Sequence, residues 1–424
     1  MKKFLIFGPI ILLLFSAPLL MANGLNLNGL GARAVAMGGA FVGLADDYSA
    51  VYWNPAGIAL VKNKTLGVSG ELIMPTAEYE FTAGGLRLID AQAKSNTYPA
   101  GIIAYYHPIN EKLVAGIGVY TPSGIGAEWD GSDFVLLPQS RAYKLKSFLG
   151  SISLAPSVAY QISDAVSLGA SLNINYGFFN LSRWAGGTIL MVPPFYIDFG
   201  QYEEESSGWG IGATFGALVK PSDMFSLGVT FRTPVKVNMS GEATISNFPA
   251  LGLSDQSDFD REVTYPMWIA GGMAFRPIEN LTFTLDAQFT NWAALDELET
   301  DFTDSFWQLV MANTAADVME LKWENATQVR FGAEYILNQV ALRAGFYMDP
   351  TPAPDETMNV LIPSFDFNGI TAGIGYRMNG LHVDGCLEYL MGKERNVALN
   401  MVNQQPGIYN LSVLTAGVSV SYNW

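Results

Sequence analysis

The chain has 424 residues, of which 50% are apolar and only 15% charged, with 39 Asp and Glu against 23 Lys and Arg for a net charge of −16. That acidity excludes a nucleic-acid partner, and the single cysteine, Cys386, excludes an internal disulfide framework. Mean hydropathy is positive, yet beyond the first residues no apolar run reaches the roughly 18 residues of a membrane helix, which leaves a β-barrel as the way to satisfy the backbone in lipid.

Residues 1–22, MKKFLIFGPIILLLFSAPLLMA, carry Lys2 and Lys3, an apolar run from Phe4 to Phe15 and a plausible cleavage point at Ala22. This is the form of a secretory signal peptide; Gly8 and Pro9 break the run and speak against the alternative, a retained anchor. Residues 23–63 come next, Gly-rich, without strand alternation and too apolar for a free tail. A compact plug inside a barrel meets both limits. The stretch DDYSAVYWNPAGIAL, residues 46–60, supplies the short helices and turns such a plug needs.

From residue 65 onward the pattern has a period of two. In Leu281–Thr290 one face carries Leu281, Phe283, Leu285, Ala287 and Phe289, and the other carries Thr282, Thr284, Asp286, Gln288 and Thr290. One face suits lipid and the other a polar lumen. Strands are predicted near 65–83, 98–107, 113–121, 143–161, 165–180, 209–219, 225–237, 263–276, 281–292, 321–337, 339–349, 366–378, 381–391 and 411–424. Their connections alternate between short turns (PINEK, QISDA, KPSD, RPIEN, LNQ, RMNG) and long loops. This asymmetry and an even strand number are those of an outer-membrane barrel. The expected fold is all-β, a 14-stranded antiparallel transmembrane β-barrel with an N-terminal hatch in its lumen, located as a multi-pass protein in the outer membrane of a Gram-negative bacterium. The chain ends LTAGVSVSYNW, with Leu414, Ala416, Val418, Val420, Tyr422 and Trp424 on one face. Such a last strand resembles the recognition signal of the barrel-assembly machinery, or is a strand closed by an interfacial aromatic.

Gly38, Gly39 and Ala40, then Ala45, Asp46 and Asp47, then Asn54, Pro55 and Ala56 form an ordered series, followed by PIN at 108–110, FRTPVKV at 231–237, Trp292, DPTPAP at 349–354, and Ile362 with Pro363. In that order and spacing the whole chain resembles the FadL/TodX (OMPP1) family of outer-membrane transporters of long-chain fatty acids and aromatic hydrocarbons. The resemblance implies three parts: a signal peptide at 1–22, a hatch at 23–63 and a barrel at 64–424. It also implies passive uptake of a hydrophobic small molecule, captured at the cell surface and released sideways through a gap where the third strand is kinked. Here Gly116, Gly118 and Pro122 weaken that strand's pairing, or only curve the barrel. The apolar loop residues Ile189, Leu190, Met191, Val192, Phe195, Tyr196 and Phe199 serve as a capture surface or pack on themselves over the mouth. Arg183, in SRWAG, resembles the Arg that holds the carboxylate in fatty-acid carriers, with Lys322 and Arg330 as loose candidates for a second cation. The alternative is a lumen salt bridge, which leaves an uncharged aromatic or alkane substrate open.

Catalysis has little support, because His107 and His382 are the only histidines and no G-x-S-x-G occurs. His382, Asp384, Cys386 and Glu388 share one face of a strand, where a solvated lumen wall is favoured over a metal site. The acidic run at 255–262 reads as a solvated loop. No cofactor or metal is expected. The expected partners are the hydrophobic ligand, outer-membrane lipid and lipopolysaccharide, and the assembly machinery. A general diffusion porin and a structural or adhesin barrel are the competing functions.

Overall fold

The computed structural model describes residues 24–135, 141–191, 194–314, 317–399 and 405–424, with the backbone alone at 188–191, 194–196 and 313–314. The segment 1–22 and Asn23 lie outside the described residues.

The barrel strands are β1 (Thr65–Ala83), β2 (Tyr98–Pro108), β3 (Leu113–Trp129), β4 (Leu145–Ser163), β5 (Val166–Trp184) and β6 (Gln201–Ser222). They continue as β7 (Phe225–Arg232 and Val235–Ile245), β8 (Gln256–Tyr265 and Trp268–Ile278), β9 (Leu281–Thr290), β10 (Ala326–Leu337), β11 (Val340–Asp349), β12 (Phe367–Met378), β13 (Leu381–Gly392) and β14 (Gly407–Asn423). Pro234 and Pro266, which lack a ladder donor, stand in the interruptions of β7 and β8. All neighbours are antiparallel, and β14 returns to β1 from Thr65↔Asn423 to Glu80↔Ile408, which closes the 14-stranded barrel.

One end has the tight turns. At Asn379-Gly380 both residues have positive φ (49° and 83°), the geometry that lets a two-residue hairpin follow the strand twist. The outward face carries Leu66, Val68, Ile103, Leu154, Leu285 and Val418, all more than a third exposed. At the tight-turn end Trp424 stacks on Tyr422 (5.8 Å) and approaches Tyr105 (6.2 Å), as aromatics do at a membrane boundary.

At the other end the strands outrun the alternation. β3 extends to Trp129, β5 to Trp184, and β6 starts at Gln201, paired with Trp184, inside segments predicted as loops. Hydrogen bonding continues there while the lipid-imposed pattern stops; Glu203, Glu204 and Glu205 of β6 show the change. The predicted loop 84–97 likewise contains Leu86–Gln92, which folds back on β1. The long loop after β9 holds the helix Ser305–Thr314 and pairs Glu297–Glu299 with Val318–Glu320. Beneath these loops Phe248, Trp292, Trp307, Trp323 and Phe365 form one apolar core.

The second core is inside the barrel. Residues 24–63 form α1 (Ala32–Ala36), α2 (Ala50–Trp53) and the 3-10 turn Pro55–Leu60. Leu30, Phe41, Tyr48 and Trp53 pack there with Ile102, Tyr106 and Tyr120 of the wall.

Candidate functional site

Helices this short leave most of their backbone polar groups without internal partners, so the wall supplies them. Thr230 Oγ1 donates to the Trp53 carbonyl (2.9 Å), Ser226 Oγ to the Gly43 carbonyl (2.7 Å), Arg232 Nη2 to the Tyr52 carbonyl (3.0 Å), and Asp286 Oδ2 accepts from the Val42 N–H (2.6 Å). The polar lumen face of the strands is therefore a template for this segment.

Each part of the hatch series has a mechanical place. Gly38 and Gly39 end α1 with φ of 66° and 67°. A Cβ on Gly38 would stand 2.7 Å from the Phe331 carbonyl of β10. Ala40 beside them is fully buried. Asp47 Oδ1 accepts from the Ser49 N–H (2.8 Å) and hydroxyl (2.6 Å), which turns the chain into α2. Asp46 meets Arg33 at 2.5 Å and the second oxygen of Asp47 meets it at 3.7 Å, and the guanidinium also bonds both oxygens of Glu334 on β10 at 2.9 Å each. Burial alone would raise the Asp46 carboxyl, but Arg33 holds it below its ordinary value; burial lifts Asp47 above its own. Asn54 Oδ1 accepts from the Ala56 N–H (3.1 Å) and caps the Pro55–Leu60 turn, with Pro55 at its first position. Its Nδ2 donates to Val42 (2.9 Å) and to Ala217 of β6 (3.1 Å). The wall admits this turn only because it is bare: a Cβ on Gly216 would lie 2.1 Å from Asn54 Oδ1, and one on Gly169 2.2 Å from the Pro55 main chain.

The third strand corrects one expectation. Gly116 and Gly118 lie in unbroken ladder, opposite Tyr106 and Ala104 of β2 and opposite Ser157 and Ala155 of β4. Their lack of a side chain serves packing, since a Cβ would meet the Tyr106 ring at 2.4 Å and Val51 of α2 at 2.8 Å. The break is at Pro122. The β2 pairing stops at Ile102↔Tyr120, and the β4 register shifts between Tyr120 and Ser123. Past the kink β3 stays on β4 while β2 stays on β1, so an edge of β3 is left without β2. Residues 25–27 cover part of it: the Leu27 N–H donates to the Pro122 carbonyl (3.1 Å) and the Gly124 N–H to the Leu25 carbonyl (2.9 Å), about an Asn26↔Ser123 bridge.

A cavity of about 430 Å³ opens at this kink. Its lining includes Leu27 and Asn28 of the hatch, and Glu71, Asp349 and Glu388 on the lumen face. It also includes Phe148, Ile152 and Phe178, on the outward side of β4 and β5. Lumen and lipid-facing residues thus bound one space. Sequence reasoning missed Glu71 and Arg33, and it placed Glu388 on a solvated lumen wall and Asp349 in the DPTPAP motif without a role at a cavity; the inward register of Glu71 was the available signal.

The three predicted cations do not share a site. Arg183 lies within β5, paired with Tyr202, and its guanidinium covers the Tyr202 ring at 4.7 Å and donates to the Trp184 carbonyl. Lys322 is in an exposed loop with Glu320 (2.7 Å) and Glu356 (4.0 Å). Arg330 holds the hatch, donating to the Gly38 carbonyl (3.0 Å) and to Gln328 (2.7 Å). Among the described residues none of the three lines the cavity. Of the apolar loop, Ile189, Leu190 and Met191 belong to a strand paired with the one containing Phe195 and Tyr196; Val192 lies outside the described residues. Phe199 is buried against Phe248 (5.6 Å), so it packs the loop base. On β13, Asp384 is bonded by Arg343 (2.7 Å) and Glu388 by Tyr347 (2.6 Å).

A family model described as outer membrane protein transport protein (OMPP1/FadL/TodX) matches residues 13–423. The outer membrane protein P1 of Haemophilus influenzae is 24% identical, with 90% of each chain covered. The long-chain fatty acid transport protein of Escherichia coli is 23% identical over 88% of this chain and 87% of its own. Among solved structures, a FadL homologue of Pseudomonas aeruginosa superposes with a TM-score of 0.77 at 17% identity, covering 95% of this chain and 100% of that one. The P. putida toluene transporter TodX gives 0.71 at 16% identity, with 94% and 99% covered. A closed barrel with an apolar outer belt and these relatives make this a multi-pass protein of the Gram-negative outer membrane, and the chain belongs to the OMPP1/FadL/TodX family of outer-membrane transport proteins.

Proposed function

We propose that the protein is a passive, non-enzymatic route by which hydrophobic small molecules, long-chain fatty acids or aromatic and alkane hydrocarbons, cross the outer membrane and leave sideways at the kink of β3. The observation that carries this reading is the cavity lined at once by lumen residues and by Phe148, Ile152 and Phe178. Burying each CH2 of a ligand in such a space is worth about 0.8 kcal/mol, which a water-filled pore does not offer. In this reading residues 1–22 are removed on export, residues 23–63 plug the lumen, and residues 64–424 form the barrel and meet lipid and lipopolysaccharide. The last strand, ending at Trp424, presents the signal for the assembly machinery. Uptake is passive because the route needs only partition and diffusion.

The test bridges the opening. Cysteines at Ala100 and Ser123, both on the cavity, joined by a short thiol-reactive linker in a Cys386→Ala background, should stop toluene or fatty-acid uptake into cells and leave binding intact. Full uptake through the bridged barrel would end the lateral route.

A further inference from the structure

The polar part of the cavity is acidic and unsatisfied. Glu71 is 2% exposed; its Oε1 accepts from the Gly31 N–H (3.0 Å) and the Ser69 hydroxyl (2.5 Å), while its Oε2 accepts nothing from the protein. Asp349, also 2% exposed, has an Oδ1 in the same condition. Both residues line the cavity, together with Glu388. Among the described residues the cation that lines it is Lys94, which is held by Glu128 at 3.0 Å. Arg330 lies nearby but is turned to the hatch carbonyl of Gly38 and to Gln328.

A buried acceptor without a donor is costly, and a second negative charge beside it more so. The same cavity is lined by Ile73, Leu390, Val413 and Phe365, which are apolar, so water-like screening within it is weak. We infer that the cavity takes an apolar compound whose polar end donates hydrogen bonds and carries no negative charge, an alcohol or a protonated amine, set between Glu71 and Asp349, and that it disfavours carboxylates. This rests on the reading of the cavity as the ligand route and departs from the fatty acids named there in the head group alone. The carbon chain would lie toward Phe148 and Phe178, and the donor head toward the lumen.

The experiment is equilibrium dialysis of four radiolabelled probes with one chain length, decane, 1-decanol, decylammonium and decanoate, against the purified full barrel in non-ionic detergent. The expected order places decanol and decylammonium at least tenfold tighter than decanoate, with decane between them. The Glu71→Gln, Asp349→Asn double variant keeps both shapes and replaces each carboxyl by an amide; its ratio of decanoate to decane affinity should rise at least tenfold over that of the wild type. Decanoate binding the wild type as tightly as decanol overturns the inference, as does a double variant with an unaltered ratio of decanoate to decane affinity. If decane binds and head group makes no difference, only this inference fails. If no probe binds, the ligand-route reading fails with it. The wild-type order decides the matter even where the double variant does not insert.

Discussion

Arg33 is the residue through which the hatch can be tested most directly. Its fork joins Glu334 of β10 at 2.9 Å twice and Asp46 at 2.5 Å, and its charge lies over the Phe41 ring at 5.3 Å. Replacing it by Met keeps much of the packing and removes the charge. Breaking a buried pair costs about 3 to 5 kcal/mol. Two features push the cost to the low end: Glu334 keeps Arg343 (2.6 Å) and Arg377 (3.4 Å), and Asp46, 31% exposed at its side chain, regains water. A loss of about 3 kcal/mol multiplies the released population roughly a hundredfold, since about 1.4 kcal/mol is a factor of ten. The assay is planar-bilayer conductance, with a deletion of residues 24–60 as the open reference and heat-modifiable gel mobility as the check on folding. Arg33→Met should show brief openings absent from the wild type, and Arg33→Lys, with charge but no fork, should fall between. A folded Arg33→Met barrel as silent as the wild type beside a conducting deletion would refute the latch. A silent deletion would remove the plug itself.

Gly216→Ala places a methyl against Asn54 Oδ1, whereas a Cβ on Gly70 meets nothing within 4 Å; trypsin should cut the hatch of the first variant and spare that of Gly70→Ala, and equal resistance would show that the wall yields. Arg183→Ala should leave both decane and decanoate affinity within about twofold, because the guanidinium rests on Tyr202 outside the cavity; a loss of about tenfold for decanoate alone, near 1.4 kcal/mol, would return a carboxylate site to it. The Arg33–Asp46 pair gives an acid limit. Asp46 is held below its ordinary value despite burial, so its contribution is complete above the ordinary carboxylate range, about pH 3.9, and is lost as pH falls through the lowered value. Asp47, raised by burial, acts in the opposite direction by relieving a buried charge on protonation. Hatch release, read by conductance, should therefore appear only in strong acid, and Asp46→Asn should remove that step; release near neutral pH would place the switch elsewhere.

The barrel was legible because lipid enforces a rule at every second residue. In Leu281–Thr290 the rule holds throughout, and the structure puts Thr282, Thr284, Asp286 and Gln288 in the lumen. Where the alternation lapses, as in the upper parts of β3, β5 and β6, the sequence reads as loop although the strands continue. The hatch was legible as a place but not as a mechanism. Arg33 sits in ARAVA, a stretch that reads as a small helix, and only closure of the barrel sets Glu334, 301 residues away, against it. Arg183 illustrates the converse: its SRWAG setting was visible, yet the pairing of β5 with β6 sets it over Tyr202. Gly116 and Gly118 read in the sequence as weakened pairing or as barrel curvature, whereas the space they leave is filled by Tyr106 and Val51.

The kink of β3 shows why such an opening is built with its own cover. A strand edge left without its neighbour has donors and acceptors that need other partners, and Pro122 removes one donor without removing the carbonyl. That carbonyl takes the Leu27 N–H, and the Gly124 N–H finds the Leu25 carbonyl, while Lys94 donates its N–H to the Glu128 carbonyl (2.7 Å) farther along the same edge. The edge is thus covered in part by two segments of the chain that are not barrel strands. Bonds of this kind contribute about 0.5 to 1.5 kcal/mol each, far less than the continuous ladder that joins β3 to β4 from Ser123↔Ser151 to Trp129↔Leu145. Of the two sides of β3 above the kink, the one facing β2 is therefore the weaker, and it is the side on which the cavity lies, between Tyr98, Pro99 and Ala100 of β2 and Ser123 and Ile125 of β3.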